Sequence, residues 1–298
     1  MKKFDVKQDV ANRIIEKFET VGKFEMPFTT FGTQNFQTNI KYRGINILLL
    51  AMAGYSSPYW GTWNQWFTAG GGIKEKVNGK WKITKPSKYN VQAGEKSTQI
   101  VFWNTKKIED KETGEEKTVA WAKYYNVFNS EQVTGWEAPA EDLKDETQII
   151  NEADAFFNNI GVSTKETSGG CASYRPSTDS ISMPTRKDFN ATKTSSATET
   201  YYATLAHENI HATMHESRCD RNMKSYAAEE LVAEIGAAML CEQLGISSEM
   251  RDDHVAYIKG WLEALRNDKQ FIFTAATKSQ EAVDWMNEQQ EVSLKKVA

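Results

Sequence analysis

The segment "AHENIH", residues 206–211, constrains this chain more than any other stretch. A helix turns about 100° per residue, so His207 and His211 would lie on one face, about 40° apart. Two imidazoles at that spacing can hold one Zn²⁺, and Glu208 beside them can act on a water at the metal. The pattern therefore predicts a metal site on a helix. The competing interpretation is a surface helix that carries scattered histidines.

A third protein ligand is needed, and the histidine helix does not supply it. His215 lies another ~6 Å along the helix axis, which favours a structural or substrate-binding role for it. The later segment "EELVAE", residues 229–234, places Glu230 and Glu234 one turn apart. This spacing suits Glu230 as the ligand, with Glu234 behind it fixing the tautomer of a histidine. Glu229 is the competing ligand, because the sequence alone does not orient this second helix.

These residues predict a particular chemistry. Zn²⁺ held by two histidines and one glutamate keeps a position open for water, whose pKa then falls towards ~7. Glu208 is the candidate general base for that water. Zn²⁺ is the expected metal, and another divalent ion such as Mn²⁺ is the alternative. Four side chains are candidates to stabilise an oxyanion, and the sequence does not choose among them: Tyr201, Tyr202, His215 and Arg218. We also expect the extended segment Ser173–Met183 to lay a peptide beside the site as an added strand.

The two halves of the chain differ in composition, although its net charge is only -4. The first 137 residues carry 20 Lys and Arg against 14 Asp and Glu, whereas the remainder carries 16 against 26. Seven of the nine tryptophans also lie in the first part. This contrast predicts two domains with different partners. The longest apolar run, "INILLLAMA", is too short to cross a bilayer, and no signal-peptide pattern follows the N-terminal lysines. We therefore expect a cytoplasmic protein with no membrane partner.

The pattern of apolar and turn residues predicts an α+β chain. Helical periodicity is expected near the N-terminus and around residues 45–52. The segments "KWKIT", "TQIVFWN" and "VAWAKYYNVFN" predict one small antiparallel sheet. The second half reads as mainly helical. We expect an N-terminal mixed α/β domain over residues 1–136, a linker over 137–144 and a C-terminal domain over 145–298.

The first domain interleaves aromatic and basic residues, a combination that binds single-stranded nucleic acid. The candidate DNA-binding residues are Lys41, Arg43, Trp60, Trp63, Lys74, Lys96 and Lys123. Tryptophans and phenylalanines are more often core residues than stacking platforms, and this is the expectation for Trp66, Phe102 and Trp103.

The motifs of both halves resemble one known family. The runs "YRGINILLL", "SPYWGTWNQ" and "AGEKSTQIVFW" are similar to the N-terminal single-stranded-DNA-binding domain of ArdC-type antirestriction proteins, to which domains of conjugative-plasmid primases are related. The runs "YYATLAHENIHATMHESRCDR" and "YAAEELVAEIGAAMLCEQLGI" resemble the zincin-like metallopeptidase domain that follows in that family. One departure is Asn209-Ile210, where relatives commonly carry an apolar and then a small residue. Neither position is a ligand, so the metal site is expected to survive.

The resemblance implies a gluzincin-like site in which the metal-binding histidines are His207 and His211, the base is Glu208, and Glu230 is backed by Glu234. It also implies protection of incoming plasmid or phage DNA from host restriction, with single-stranded DNA as a partner and a protein or peptide as a possible substrate. Two alternatives stay open. One is a DNA-binding protein whose metal is purely structural, and the other is a metallopeptidase whose first domain recognises protein.

Overall fold

The computed structural model describes residues 5–20, 32–109, 116–139, 146–192, 195–246 and 255–297. The helices, in chain order, are α1 (Val6–Thr20), α2 (Ile45–Ala51), α3 (Trp63–Ala69), α4 (Glu146–Ile160), α5 (Ala197–Ala212), α6 (Tyr226–Leu244), α7 (Val255–Asn267) and α8 (Phe271–Val297). The strands are β1 (Gln34–Asn35), β2 (Tyr59–Thr62), β3 (Ile73–Val77), β4 (Lys80–Lys85), β5 (Asn90–Val91), β6 (Thr98–Glu109), β7 (Glu116–Asn129), β8 (Val133–Thr134), β9 (Ser163–Glu166), β10 (Ser173–Arg175) and β11 (Ser180–Met183). This α+β content agrees with the fold class expected from the sequence.

The contacts divide the chain into two compact units. The first contains Met1–Val6 and Phe28–Ala140, and the second contains Lys7–Pro27 and Glu141–Ala298. In this division α1, apart from Val6, groups with the second unit. That the first domain begins at residue 1 stays a prediction. An amphipathic helix packs wherever its apolar face finds a partner, and Val10, Ala11 and Ile14 of α1 are fully buried. The other expected boundaries, at residues 136 and 144, stay predictions.

The first unit is built on a four-stranded sheet with the order β1-β2-β7-β6. Strands β1 and β2 are parallel, and the other two pairs are antiparallel. Leu50 of α2, Trp60 of β2 and Val127 of β7 form a buried cluster on this sheet. The segment "KWKIT" does not join it, contrary to the single sheet expected from the sequence. It lies in β4, which in the described part of the chain pairs with β3 alone, as a separate hairpin closed at Asn78-Gly79, where both residues have positive φ.

The second unit is mainly helical, as the sequence predicts, and carries one small sheet. Helix α5 is buried along most of its length and packs against α6, which in turn packs against α8. The sheet has the order β10-β11-β9, so β10 lies at one of its edges. Strand β10 also contacts α5. This contact brings an edge strand to the helix that carries "HENIH".

None of the helices among the described residues combines the length and the apolar character needed to span a membrane.

Candidate metal centre and nucleic-acid interface

Two helices bring the predicted ligands together. Helix α5 begins at a capping box formed by Ser196 and Glu199, and α6 begins after the N-cap Ser225. The two helices approach closely, because a Cβ added to Gly236 of α6 would lie 2.8 Å from the side chain of Ile210 on α5. A larger residue at position 236 would force the Ile210 side chain or the helices themselves to shift. The glycine therefore permits the glutamates of α6 to reach the histidines of α5.

The ligand atoms of His207, His211 and Glu230 all lie within 4.8 Å of one another. The two Nε2 atoms are 3.0 Å apart. The Glu230 carboxylate faces both of them, with Oε2 3.5 Å from Nε2 of His207 and Oε1 3.4 Å from Nε2 of His211. All three residues are buried. Glu230, rather than Glu229, therefore occupies the position that a third ligand requires.

Glu229 and Glu234 contact the outer nitrogens of the same histidines. Nδ1 of His207 lies 2.7 Å from Oε1 of Glu234, and Nδ1 of His211 lies 3.3 Å from Oε1 of Glu229. A carboxylate at Nδ1 keeps the ring proton there and directs the Nε2 lone pair inward. Glu234 therefore lies at Nδ1 of His207, and Glu229 lies at Nδ1 of His211; the tautomer-fixing role expected for Glu234 stays a prediction.

Arg221 neutralises Glu229. Its guanidinium donates from Nε to Oε2 at 2.8 Å and from Nη2 to Oε1 at 2.5 Å. Further bonds run to Oγ1 of Thr213 at 2.8 Å and to the carbonyl of Ile210 at 2.9 Å. The Arg221 side chain is 0% exposed. No sequence pattern predicts this partner, because its contact with Glu229 depends on the loop between α5 and α6.

The centre is arranged to hold a cation. Two inward-directed Nε2 lone pairs at 3.0 Å repel each other unless a proton or a metal ion lies between them. Burial lowers the pKa of His207, but hydrogen bonds with Glu230 and Glu234 outweigh it and raise this pKa to about 10. Burial likewise opposes ionisation of Glu230, but hydrogen bonds from His207 and His211 lower its pKa. Two imidazole nitrogens and a carboxylate surround a locus at which the neighbouring carboxylates stabilise positive charge, and this donor set fits Zn²⁺ or a similar divalent ion.

A cavity of about 520 Å³ opens at these ligands and is also lined by Glu208, Tyr174, Met214 and Tyr226. Oε2 of Glu208 accepts a hydrogen bond from the backbone N–H of Tyr174 at 2.6 Å. Tyr226 lines the cavity together with Glu230 and contributes to lowering the pKa of that carboxyl group, and 67% of the Tyr226 residue is exposed. Tyr226 was missed at the sequence level. The available signal was its position four residues before Glu230, which puts the two on one face of a helix.

The four candidates for stabilising an oxyanion lie elsewhere. Tyr201 donates to Oε1 of Glu166 at 2.9 Å, and Tyr202 donates to Oδ1 of Asp154 at 2.8 Å. Nδ1 of His215 lies 2.8 Å from the Ser217 hydroxyl. Arg218 forms an ion pair with Asp179 at 2.8 Å. None of the four lines the cavity among the residues described.

The predicted DNA-binding residues of the first unit are scattered. Trp60 is 1% exposed and belongs to the core cluster, so its ring is not available to a base, and this prediction is wrong. The reason is that its strand, β2, lies inside the sheet between β1 and β7. Lys41, Arg43 and Lys96 are exposed but belong to connecting segments. Trp66 is buried, as expected.

One exposed aromatic surface lies on β6 and β7. Register pairs Phe102 with Lys123, so alternation puts Phe102, Trp121, Lys123 and Tyr125 on one side of these strands; we call this set the ribbon face. Phe102 is 50% exposed and meets Tyr125 edge to face at 6.0 Å, and Nζ of Lys123 lies 5.1 Å from the Tyr125 ring centre. Trp103 is also exposed, on the opposite side. The expectation of core positions for Phe102 and Trp103 is wrong, because this part of the ribbon extends past the buried cluster.

A second exposed surface combines α3 with the β3–β4 hairpin. Nζ of Lys74 lies 5.4 Å from the ring centre of Trp63 and 5.7 Å from that of Trp81. Register and alternation place Lys76 on the same side as Lys74 and Trp81. We call Trp63, Lys74, Lys76 and Trp81 the hairpin face. Trp81 is 67% exposed. Both faces present flat rings beside ammonium groups.

Comparison with known proteins covers both units. Residues 4–128 match a family described as the N-terminal domain of anti-restriction factor ArdC, and residues 151–278 match a zincin-like metallopeptidase family. The protein y4eC of Sinorhizobium fredii (strain NBRC 101917 / NGR234) is 34% identical over 309 residues, which cover 96% of this chain and 92% of that protein. A DNA primase TraC of Escherichia coli is 30% identical over 94% of this chain, but the match spans only 27% of the primase.

Solved structures of the antirestriction protein ArdC from plasmid R388 are also similar. The metal-free structure is 36% identical, with a TM-score of 0.76 over 97% of this chain and 98% of that one. The Mn(II)-bound structure is 35% identical, with a TM-score of 0.71 over 96% of this chain and 98% of that one. With such similarity along almost the whole length, the chain belongs to the ArdC family of antirestriction proteins.

Proposed function

We propose that this protein binds single-stranded DNA through its first unit and carries a divalent-metal, peptidase-like site in its second. Its role would be to protect incoming plasmid or phage DNA from restriction in the cytoplasm. The observation that carries the metal site is the convergence of His207, His211 and Glu230 within 4.8 Å, beside Glu208 in one cavity. The antirestriction role rests on similarity to ArdC of plasmid R388.

His207, His211 and Glu230 would hold the metal, with Zn²⁺ as the expected ion. The Mn(II)-bound structure of the similar R388 protein supports binding of a divalent ion and leaves Mn²⁺ as the alternative. Such an ion polarises a carbonyl group and lowers the pKa of a nearby water. Glu234 and Glu229 hold the proton on Nδ1 of the two histidines, which keeps both Nε2 lone pairs directed at the ion.

Glu208 is the proposed general base. One of its oxygens, Oε2, is fixed by the Tyr174 amide, which leaves Oε1 to accept a proton from an attacking water. The same carboxyl group then delivers that proton to the leaving amine. Tyr226 is the proposed donor to the substrate carbonyl oxygen, since it lines the same cavity as the ligand carboxylate of Glu230.

The edge strand β10 supports a peptide as the substrate. Ser173 and Tyr174 line the cavity, and among the described residues β10 pairs with β11 on one side, while on its other side the Tyr174 amide donates to Glu208. An extended peptide could add to such an edge and cross the ligands. This proximity retains the peptide-binding role that the sequence suggested for Ser173–Met183.

The ribbon and hairpin faces support single-stranded DNA as the ligand of the first unit. Base stacking on exposed rings contributes ~1–3 kcal/mol per base, and neighbouring lysines follow the phosphates. Lys123 belongs to the ribbon face, and Lys74 and Lys76 belong to the hairpin face. Of the seven DNA-binding residues predicted from the sequence, Trp63, Lys74 and Lys123 therefore keep the best support. Lys41, Arg43 and Lys96 remain secondary candidates.

The Glu208→Ala variant separates the proposed function from its alternatives. We expect the purified variant to keep its divalent metal and its affinity for oligonucleotides, and to lose any hydrolysis of a denatured protein substrate. Plasmid transfer into a restricting recipient then shows whether hydrolysis serves protection. Unchanged protection by a variant that retains metal would favour the structural-metal alternative. Failure of the wild-type protein to bind single strands at low salt would contradict the DNA claim, because phosphate contacts are strongest there.

A further inference from the structure

A network of polar contacts outside the ligand set connects the edge strand to the end of the histidine helix. The hydroxyl of Tyr174 donates to Oδ1 of Asp179 at 2.9 Å. Arg218 donates to the same carboxylate from two nitrogens, Nη1 to Oδ1 and Nη2 to Oδ2, each at 2.8 Å. Its Nη1 also donates to the carbonyl of Ala212, the last residue of α5, at 2.9 Å. We call Tyr174, Asp179 and Arg218 the clamp.

The clamp spans the turn between two strands of the sheet. Asp179 lies directly before β11 in a left-handed conformation, with φ of 44°, and Tyr174 lies in the middle of β10. A bidentate arginine–carboxylate pair fixes both distance and orientation, which a single contact does not. The β10–β11 hairpin is therefore held at a set position relative to the C-terminal end of α5.

The position of β10 affects Glu208, the candidate base, through the backbone amide of Tyr174. In the antiparallel pair, Tyr174 lies opposite Ile181, and its N–H points away from β11 to Oε2 of Glu208 at 2.6 Å. A backbone N–H moves only together with its strand. The hydrogen bond to Glu208 therefore requires β10 to lie at the right distance from α5. Glu208 is buried, so a carboxylate that lost this donor would have to rotate or find another one.

We propose that Asp179 and Arg218 are positioning residues that, through the strand position of Tyr174, fix the orientation of the Glu208 carboxylate. They touch neither the ligand atoms nor the interior of the cavity. Their removal therefore releases the Tyr174 amide and disorders Glu208, while His207, His211 and Glu230 keep their mutual geometry. This inference rests on the proposed function only in the part that concerns hydrolysis.

Hydrogen exchange of the Tyr174 amide in the full chain tests the proposal directly, in the metal-free and in the Mn²⁺-loaded protein. Breaking a hydrogen bond to a charged group corresponds to a roughly 10–100-fold change in the opening equilibrium. We expect Asp179→Ala and Arg218→Met each to accelerate exchange at Tyr174 by that factor. Mn²⁺ affinity should change less than about threefold, because no ligand is altered. Arg218→Lys keeps the positive charge but loses the two-nitrogen contact with Asp179. Its exchange rate at Tyr174 should therefore lie between those of the wild type and Arg218→Met.

A double-mutant cycle separates positioning from general loosening of the fold. In a Glu208→Ala background the acceptor is already absent, so adding Asp179→Ala should accelerate exchange at Tyr174 much less than it does alone. Full additivity of the two effects would overturn the proposal. The milder Tyr174→Phe variant, which removes one bond of the clamp and leaves the amide in place, covers the case in which Asp179→Ala does not fold.

Arg186→Met is the matched control. It breaks another arginine–aspartate pair of the same unit, with Asp154 at 2.6 Å, and neither residue lines the cavity. Exchange at Tyr174 should stay at the wild-type rate in this variant. Equal acceleration by Arg186→Met and Arg218→Met would contradict a specific clamp.

Where hydrolysis is measurable, the clamp variants should lower kcat more than they raise KM. A protein that binds no divalent metal but shows the amide effect would keep this inference and remove the proposed function.

Discussion

Nδ1 of His207 lies 2.7 Å from Oε1 of Glu234, and both residues are buried. The pair joins the centre of α5 to α6, and we propose that it fixes which nitrogen of His207 carries the proton. Without it, the ring could expose an N–H to the ligand locus in place of a lone pair. Glu234 is thus expected to act on metal affinity although it does not touch the ion.

Glu234→Gln should weaken divalent-metal binding by roughly 10–100-fold, because an amide is a poorer acceptor for the Nδ1 proton. Competition with a fluorescent chelator measures the affinity. Glu288→Gln, at an exposed position of α8, is the control and should bind metal like wild type. Equal affinities of the Glu234→Gln variant and the wild type would show that the tautomer of His207 does not depend on Glu234.

Arg221→Met should destabilise the metal-free protein by about 3–5 kcal/mol, because it leaves the Glu229 carboxylate buried without its partner. Urea unfolding in the presence of a chelator gives the free energy of unfolding. Lys278→Met breaks a pair with Glu281 whose side chains are 36% and 45% exposed, and it should cost no more than about 1 kcal/mol. Equal losses in the two variants would mean that burial of the Arg221–Glu229 pair has no special weight.

The residues proposed as metal ligands could be predicted from the sequence, whereas the side chains that hold them and Glu208 in position could not. The pairing of His207 with His211 follows from helical geometry alone, and the spacing of Glu230 and Glu234 indicated their two different roles. Arg221 and the Asp179–Arg218 pair could not be anticipated, since each contact joins segments whose relative position depends on tertiary packing. The same limit explains Trp60 and Phe102. Both are aromatic residues of strands, and only the extent of the core decides which is buried and which is exposed.

Phe102→Ala and Trp121→Ala on the ribbon face should each weaken binding of a single-stranded oligonucleotide by about 5–100-fold, the loss of one stacked base. Fluorescence anisotropy at fixed salt measures the affinity. Ile40→Ala removes an exposed apolar side chain of the same unit that lies outside both faces, and it should have no effect.

Lys123→Ala should behave differently from the aromatic variants. It should make the slope of log K for DNA binding against log salt concentration less negative by about 0.7, the value for one lost phosphate contact with a single strand. The aromatic variants should keep the wild-type slope. If all three variants keep the wild-type affinity and the wild-type salt dependence, the ribbon face is not the DNA-binding site.

The Asp179–Arg218 pair should make stability depend on pH in a defined direction. Hydrogen bonds from Arg218 hold the pKa of Asp179 below its ordinary value, and they outweigh the opposing effect of burial. A carboxyl group with a depressed folded pKa stabilises the fold above its unfolded pKa of about 3.9, and this contribution is lost as pH falls through the folded pKa. The stability difference between wild type and Asp179→Asn, from urea unfolding with chelator, should therefore be larger at about pH 6 than at about pH 3.5. A difference that is the same at both pH values would contradict this assignment.

Anomalous diffraction from crystals loaded with Zn²⁺ or Mn²⁺ tests the metal centre most directly. We predict one strong peak within about 2.0–2.2 Å of Nε2 of His207, Nε2 of His211 and a carboxylate oxygen of Glu230. Glu229 should remain paired with Arg221, and Glu208 should lie beside the ion without binding it. A peak liganded by Glu229, or a metal bound elsewhere with these three residues unliganded, would contradict the proposed site.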